Sequence, residues 1–427
     1  MKLIEYNDIN EQIYKGTLPN GLAVFVIPKP GFHKKYAFFA TDYGGVDRRF
    51  KLADKWIDTP AGVAHFLEHK MFDTEDGNAL ELLSANGASP NAYTSFDTTA
   101  YHFECIDKFS ENLETLLSFV STPFFTPESV EKEQGIIAQE IMMYEDNPDF
   151  SLYFGLLKSL FRCNPVRDSV AGTVDSIAEI TADTLYDCHK AFYAPSNMAL
   201  CVVGDIDPGM VFDTAQEILP SEKSEVPLRD YGAPETLIPE VDKLENSMEV
   251  SLPIFLGGCK LPKAAYGSDI LMHEMISTLC FETLFGSSSP LFLRLYADGL
   301  INVDFSASYN SVAGVAYFAF GGEAREPHRV YDEVLKEINQ VSSKGLDARL
   351  FERIKKAGIG GHIRSLNSFG TIASAVAEGH FRGYDPLMAT TLLSQISVDD
   401  IFNYIQNNLV TETMTISIVN PLNEVTR

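Results

Sequence analysis

Positive charge is what this chain is shortest of. Against 59 Asp and Glu stand 33 Lys and Arg, a formal net charge of −26. A protein that neutralises nucleic-acid phosphates needs clustered Lys and Arg, so the balance speaks against a nucleic-acid partner. The acidic excess favours solubility and, where it lines a cavity, attracts basic peptides; an acidic surface with no such role accounts for it equally well. No run approaches the ~18 apolar residues of a membrane span, so no membrane partner is expected. The first residues, MKLIEYNDINEQ, carry neither the apolar stretch of a secretory signal nor the Arg and Ser bias of a transit peptide. The six cysteines (105, 163, 188, 201, 259, 280) form no C-x-x-C pair, and most sit in apolar runs such as Met198–Val203. Reduced, buried thiols in a cytoplasmic protein are the economical reading. Gly286-Ser-Ser-Ser-Pro290 lacks the Lys-Ser/Thr of a phosphate loop.

What is present is an ordinary globular composition, 45% apolar and 22% charged, over 427 residues. That length is too great for one core, and two or more domains are expected. The most informative stretch is Gly62-Val-Ala-His65-Phe-Leu-Glu68-His69-Lys-Met-Phe72. Its good helix formers and its freedom from Gly and Pro after Gly62 predict a helix. His65, Glu68 and His69 then fall at i, i+3 and i+4 and point the same way. Two imidazoles one turn apart can grip one Zn²⁺ at roughly 2.0–2.1 Å. The carboxylate between them is left to act on water. This H-x-x-E-H order is that of the inverzincins. A chance match on a solvated helix is the competing reading. Phe66, Leu67, Met71 and Phe72 oppose it, because they make the segment largely buried, and buried His and Glu without partners are costly.

Around this helix the sequence predicts strands at 23–27 and 35–41, a polar loop at 46–60, a helix from Asn78 to Ala85, and strands at 91–96 and 99–104. A helix follows at 109–121. A long helix then opens at Pro127 and runs to Tyr144, with Val130, Ile137, Ile141 and Tyr144 as its apolar face. Glu133 and Glu140, seven residues apart, share one side of it. A strand at 197–204 closes this half. Residues 223–243, rich in Glu, Pro and Ser, read as a linker between domain 1–222 and domain 244–427.

The second half is a worn copy of the first. Thr126–Gln134 aligns with Leu346–Lys355, and Ile180-Thr-Ala-Asp183 with Ile396-Ser-Val-Asp399, each of the latter pair a short way before a strand. With Val130–Lys132 set on Phe351–Arg353, Glu133 falls on Ile354 and Glu140 on Gly361, so the copy lacks these acids. His273-Glu274 has Ser rather than His at 277 and reads as structural. His362 and His380 have no ligand-like spacing.

Taken together, His65-x-x-Glu68-His69, Gly87-Ala-Ser-Pro-Asn-Ala-Tyr-Thr-Ser-Phe-Asp-Thr-Thr-Ala-Tyr101, Glu133…Glu140, Phe192-Tyr-Ala-Pro-Ser-Asn-Met198 and Val203-Gly-Asp205 resemble the pitrilysin/insulysin metallopeptidase clan, in its bacterial processing-peptidase-like branch. The resemblance covers nearly all of the first half, and the second in outline. It implies an α+β fold of two homologous α/β half-domains, each a mostly antiparallel sheet packed with helices, together one half of a clam-shell. It implies that His65, His69 and Glu140 ligate one Zn²⁺, that Glu68 is the general base, and that Glu133 is a supporting acid of the same site; Glu133 as ligand is the alternative. Asn91 and Ala92 would lie on the edge strand that receives a peptide or unfolded polypeptide, although Asn91 also reads as a plain strand-start residue. Homodimeric relatives carry Arg-Gly-Leu-x-Tyr in the second half, where this chain has Asp298-Gly-Leu-Ile-Asn302. That departure implies a dimer with a paralogous subunit that supplies the Arg/Tyr pair. The activity implied is a zinc-dependent endopeptidase. The other readings are a non-catalytic scaffold or partner subunit of a processing-peptidase-like complex, and a factor that trims one dedicated protein. Ligand chemistry also admits Mn²⁺ or Co²⁺ in place of zinc.

Overall fold

The apolar runs become the centres of two sheets. The computed structural model describes residues 1–262, 267–312 and 314–422, with the backbone alone at Ser268. Met198–Gly204, buried at every residue, lies mid-way in a seven-stranded sheet. From one edge to the other the order is Lys2–Tyr6, Glu11–Thr17, Ala23–Pro28, Met198–Gly204, Lys35–Thr41, Thr99–Cys105 and Ser89–Thr94. The two central strands Ala23–Pro28 and Met198–Gly204 run parallel and the other pairings are antiparallel. A second sheet, of five strands, has the order Lys243–Met248, Thr415–Pro421, Ile254–Leu261, Val315–Glu323, Ser306–Val312. Its core gathers Phe281, Phe285, Phe318, Phe320, Val334 and Ile405. The architecture is the expected α+β pair of homologous half-domains. Among the described residues no helix is long and apolar enough to cross a membrane.

The chain divides into two compact units, and they cross the boundaries read from sequence. Unit 1 comprises Met1–Ile141, Ser169–Tyr231 and Ile363–Leu387; unit 2 comprises Met142–Asp168, Gly232–His362 and Met388–Arg427. Each unit therefore holds a helix from the other half of the sequence. In unit 1, helix Phe369–Arg382 buries Phe369, Ile372, Ala373 and Val376 against Phe25, Phe38 and Cys201 of the seven-stranded sheet. In unit 2, helix Pro148–Leu160 sets Leu152 against Ile254 and Val419. Gly155 permits this approach, because a Cβ there would lie 2.5 Å from Ser417 Oγ. An apolar stripe says that a helix must be covered, not which sheet covers it.

One further expectation is corrected in unit 1, and part of segment 223–243 is ordered there. The loop 46–60 contains a hairpin, Arg49–Leu52 with Lys55–Asp58, which buries Phe50 and pairs Arg49 with Asp58 at 2.7 Å. These strands are too short and too charged to announce themselves by alternation. The presumed linker supplies a third strand to this hairpin, Leu228–Arg229. Arg229 meets Asp42 Oδ2 at 2.9 Å and Asp47 Oδ1 at 3.1 Å, and the Tyr231 hydroxyl donates to Asp47 Oδ1 at 2.9 Å. Burial pushes both carboxyls up, Asp47 to about 7, against the pull of the guanidinium.

Removing one partner of a buried ion cluster strands the rest. Arg229→Leu should therefore cost about 3–5 kcal/mol, read as a fall in the urea midpoint of unfolding. A midpoint equal to that of the unmodified protein would show that the cluster does not hold this segment.

Candidate metal centre

The site is built in unit 1, where two helices face one another. The first, Val63–Met71, begins at Gly62, whose φ of 95° suits glycine. The carbonyl oxygen of Ala171 lies 2.5 Å from where a Cβ at this position would stand. Val63, Ala64, Phe66, Leu67 and Met71 are buried. His65 and His69 share another stripe, their ring centroids 4.6 Å apart. The second helix, Pro127–Glu145, buries Val130, Ile137 and Ile141. That packing presents Glu133 and Glu140 to the histidines.

His65 Nε2 stands 3.6 Å from Glu140 Oε1, and His69 Nε2 stands 3.6 Å from Glu140 Oε2. These separations are too long for hydrogen bonds. They suit donors about 2.0–2.2 Å from a common tetrahedral centre, which lie roughly 3.3–3.6 Å from each other. The three ligand atoms fall within 4.8 Å of one another, and the trio is the group with metal-holding geometry among the described residues. His69 Nδ1–H donates to Glu133 Oε1 at 3.0 Å. That bond fixes the tautomer and turns the lone pair of Nε2 toward Glu140. Burial alone would lower the His69 pKa, but the bond to Glu133, with the charges of Glu68, Glu133 and Glu140, raises it. Burial, and then the neighbouring His69, bring His65 down to about 4, so its ring is neutral at pH 7 and able to donate a lone pair. His65 Nδ1 is buried without a hydrogen-bond partner among the described residues. Packing, not a carboxylate, orients that ring. The donor set fits a divalent cation of zinc type on both distance and chemistry.

Glu68, 8% exposed, lies on the same helix as the histidines. Burial raises its pKa, opposed by a hydrogen bond from Thr94 Oγ1 to Oε2 at 2.8 Å. Sequence reasoning passed over Thr94 as a neighbour of the site. Its signal was there, two residues beyond Ala92 and so on the same face of the strand. Asn91 and Ala92 lie on Ser89–Thr94, the outermost strand of the seven-stranded sheet. Burial alternates along it, with Pro90, Ala92 and Thr94 half-buried and Ser89, Asn91 and Tyr93 exposed. Ala92 and Thr94 thus share the face toward the histidine helix, while Asn91 projects from the other. The Asn91 carboxamide oxygen accepts from the Ala92 N–H at 2.9 Å, so that N–H points away from the neighbouring strand toward the open edge. In the second half, Ile354 is buried in the core of unit 2, and His273 packs edge-on against Tyr309 and Tyr404.

Two family models match the chain. One, described as insulinase (peptidase family M16), covers residues 57–174, the span that contains both site helices. The other, described as the peptidase M16 inactive domain, covers 179–357. The uncharacterized zinc protease YmfH of Bacillus subtilis is 38% identical, over 99% of this chain and 99% of that one. A solved M16-like peptidase from Alicyclobacillus acidocaldarius is 33% identical and superposes with a TM-score of 0.92, covering 96% of this chain and 99% of the other. A protease from Helicobacter pylori, at 18% identity and a TM-score of 0.83, shares the fold over 96% of this chain and 100% of its own.

Gly62→Ala tests how the histidine helix is seated. A methyl group there is strained by the left-handed backbone and meets the Ala171 carbonyl, so stability should fall by at least about 1–2 kcal/mol. An unchanged thermal midpoint would mean that the helix entry is not fixed in this way.

Proposed function

The chain belongs to the M16 (insulinase) peptidase family, and we propose that it is a zinc-dependent endopeptidase that hydrolyses peptides or unfolded protein segments. The observation that carries the proposal is the approach of one carboxylate, Glu140, to the Nε2 atoms of both His65 and His69, with the buried Glu68 beside them. In this reading His65, His69 and Glu140 hold one zinc ion. Zinc so held supplies a Lewis acid that makes water acidic near pH 7 and polarises a peptide carbonyl. The remaining work belongs to the chain's own groups. Glu68 takes the proton from the attacking water and hands it to the leaving amine. Glu133 keeps the His69 ring in its ligating tautomer through Nδ1. The edge strand, through the main chain of Ala92 and the side chain of Asn91, pairs with an extended segment; main-chain pairing suits binding with little demand on sequence.

The absence of an Arg/Tyr pair at Asp298–Asn302 supports a dimer with a paralogous subunit that carries them. The purified chain alone should then cleave weakly. Unpaired, mostly buried cysteines fit a reducing, cytoplasmic setting. A scaffold subunit has no physical need for a buried carboxylate held by Thr94, which favours the catalytic reading.

Elemental analysis of the wild type should find about one zinc per chain, and His65→Ala should lose it. No zinc in freshly purified wild type would remove the catalytic assignment. Glu68→Gln should keep the metal and lose cleavage of a fluorogenic peptide by at least about 10²-fold; surviving activity would show that Glu68 is not the base. Glu133→Gln should keep the fold and weaken zinc affinity roughly 10–100-fold, read by competition with a chelator. Robust cleavage by the isolated chain would refute the need for a partner.

A further inference from the structure

We propose that Thr94 is a positioning residue for the general base: its hydroxyl holds one oxygen of the Glu68 carboxylate and leaves the other to receive the proton of the attacking water. The proposal rests on the peptidase reading above.

The geometry narrows the assignment to one hydrogen bond. Thr94 ends the edge strand with its side chain on the face toward the histidine helix. Its Oγ1 donates to Glu68 Oε2 at 2.8 Å. A threonine hydroxyl has a single proton. The neighbouring Thr99 hydroxyl, 3.3 Å away, stands on the donor side of its contact with Thr94 Oγ1 and does not compete for the Thr94 proton. Thr99 has its own outlet, donating to the Tyr43 carbonyl at 2.9 Å. The Thr94 proton therefore goes to the carboxylate. Among the described residues no donor reaches Oε1 of Glu68, so the two oxygens differ: one is anchored and one is open. A carboxylate on a flexible stem, anchored in this way, presents its open oxygen in one direction, which is what a base within hydrogen-bond reach of a reacting proton requires.

The anchor also has a place in recognition. Thr94 and Ala92 are two residues apart on one strand, roughly 6.6 Å. A segment paired along that edge and the base that acts on it are thus referred to the same piece of backbone. A shift in the strand moves both together. A hydroxyl on a helix or a loop would not link them.

The test compares two substitutions in the full chain. Thr94→Val keeps the shape and removes the hydroxyl; Thr94→Ser keeps the hydroxyl. Thr94→Val should lower kcat roughly 10–100-fold with KM within about twofold, with zinc content and thermal midpoint unchanged. Thr94→Ser should recover most of that loss. Thr94→Ala serves as the hydroxyl-free variant if Thr94→Val does not fold. Crystal structures of the metal-free variants give a readout independent of turnover. Glu68 should occupy a single rotamer in Thr94→Ser and more than one in the hydroxyl-free variant. A kcat in Thr94→Val within twofold of wild type, equal losses in the two variants, or a single unchanged Glu68 rotamer without the hydroxyl would overturn the assignment. An isolated wild type too weak to assay is what a chain that needs its partner would show, whereas a wild type that holds no zinc overturns the peptidase reading instead; in either case the Glu68 rotamers decide on Thr94 by themselves.

Discussion

The bond from His69 Nδ1 to Glu133, 3.0 Å long, is the contact on which the site depends. Two imidazoles and three carboxylates brought together with little water would ordinarily be unfavourable. The bond makes the arrangement tolerable in two ways. It satisfies one half-buried polar pair, and it leaves the second nitrogen of that imidazole facing Glu140. Everything else in the site follows from two helices being held in register. Glycine 62 sets where the histidine helix starts, and Val130, Ile137 and Ile141 set which side of the acidic helix faces it. The spacing of four residues on one helix and seven on the other then converges on one point without help from any loop.

Segments far apart in the sequence are interleaved in the fold. The sheet that carries the site is covered on one face by helix Phe369–Arg382, drawn from the far end of the chain. The segment 142–168, which starts in the last turn of the acidic helix, belongs to the other unit. Among the described residues no strand pairs with the outer side of Ser89–Thr94, where the Ala92 N–H is met by the adjacent Asn91 side chain. An open edge is a liability that proteins usually blunt. Here Pro90 removes one donor from it, and Thr94 ties its end to Glu68.

Much of the site was legible in the sequence because helical spacing is geometry. His65, Glu68 and His69 share a face on any α-helix, and so do Glu133 and Glu140. Sequence alone could not say which of the two glutamates meets which nitrogen, since that depends on how two helices dock. Asn91 and Ala92 were placed on an edge strand correctly, but the alternation that sends Asn91 to the far face was fixed only by the register with Thr99–Cys105. The strand itself begins and ends two residues before the expected 91–96. The exchange of helices between units left no trace in composition. The hairpin at 49–58 and the pinned segment at 228–231 were hidden because ion pairs, Arg49 with Asp58 and Arg229 with Asp42 and Asp47, do work there that apolar alternation does elsewhere.

The most direct test of the central claim is X-ray absorption spectroscopy at the zinc edge on protein purified without added metal. The account predicts one site with two imidazole nitrogens at about 2.0–2.1 Å, oxygen making up the rest, and no sulfur. A sulfur shell near 2.3 Å, or a zinc environment unchanged by His65→Ala, would place the metal elsewhere and contradict the account.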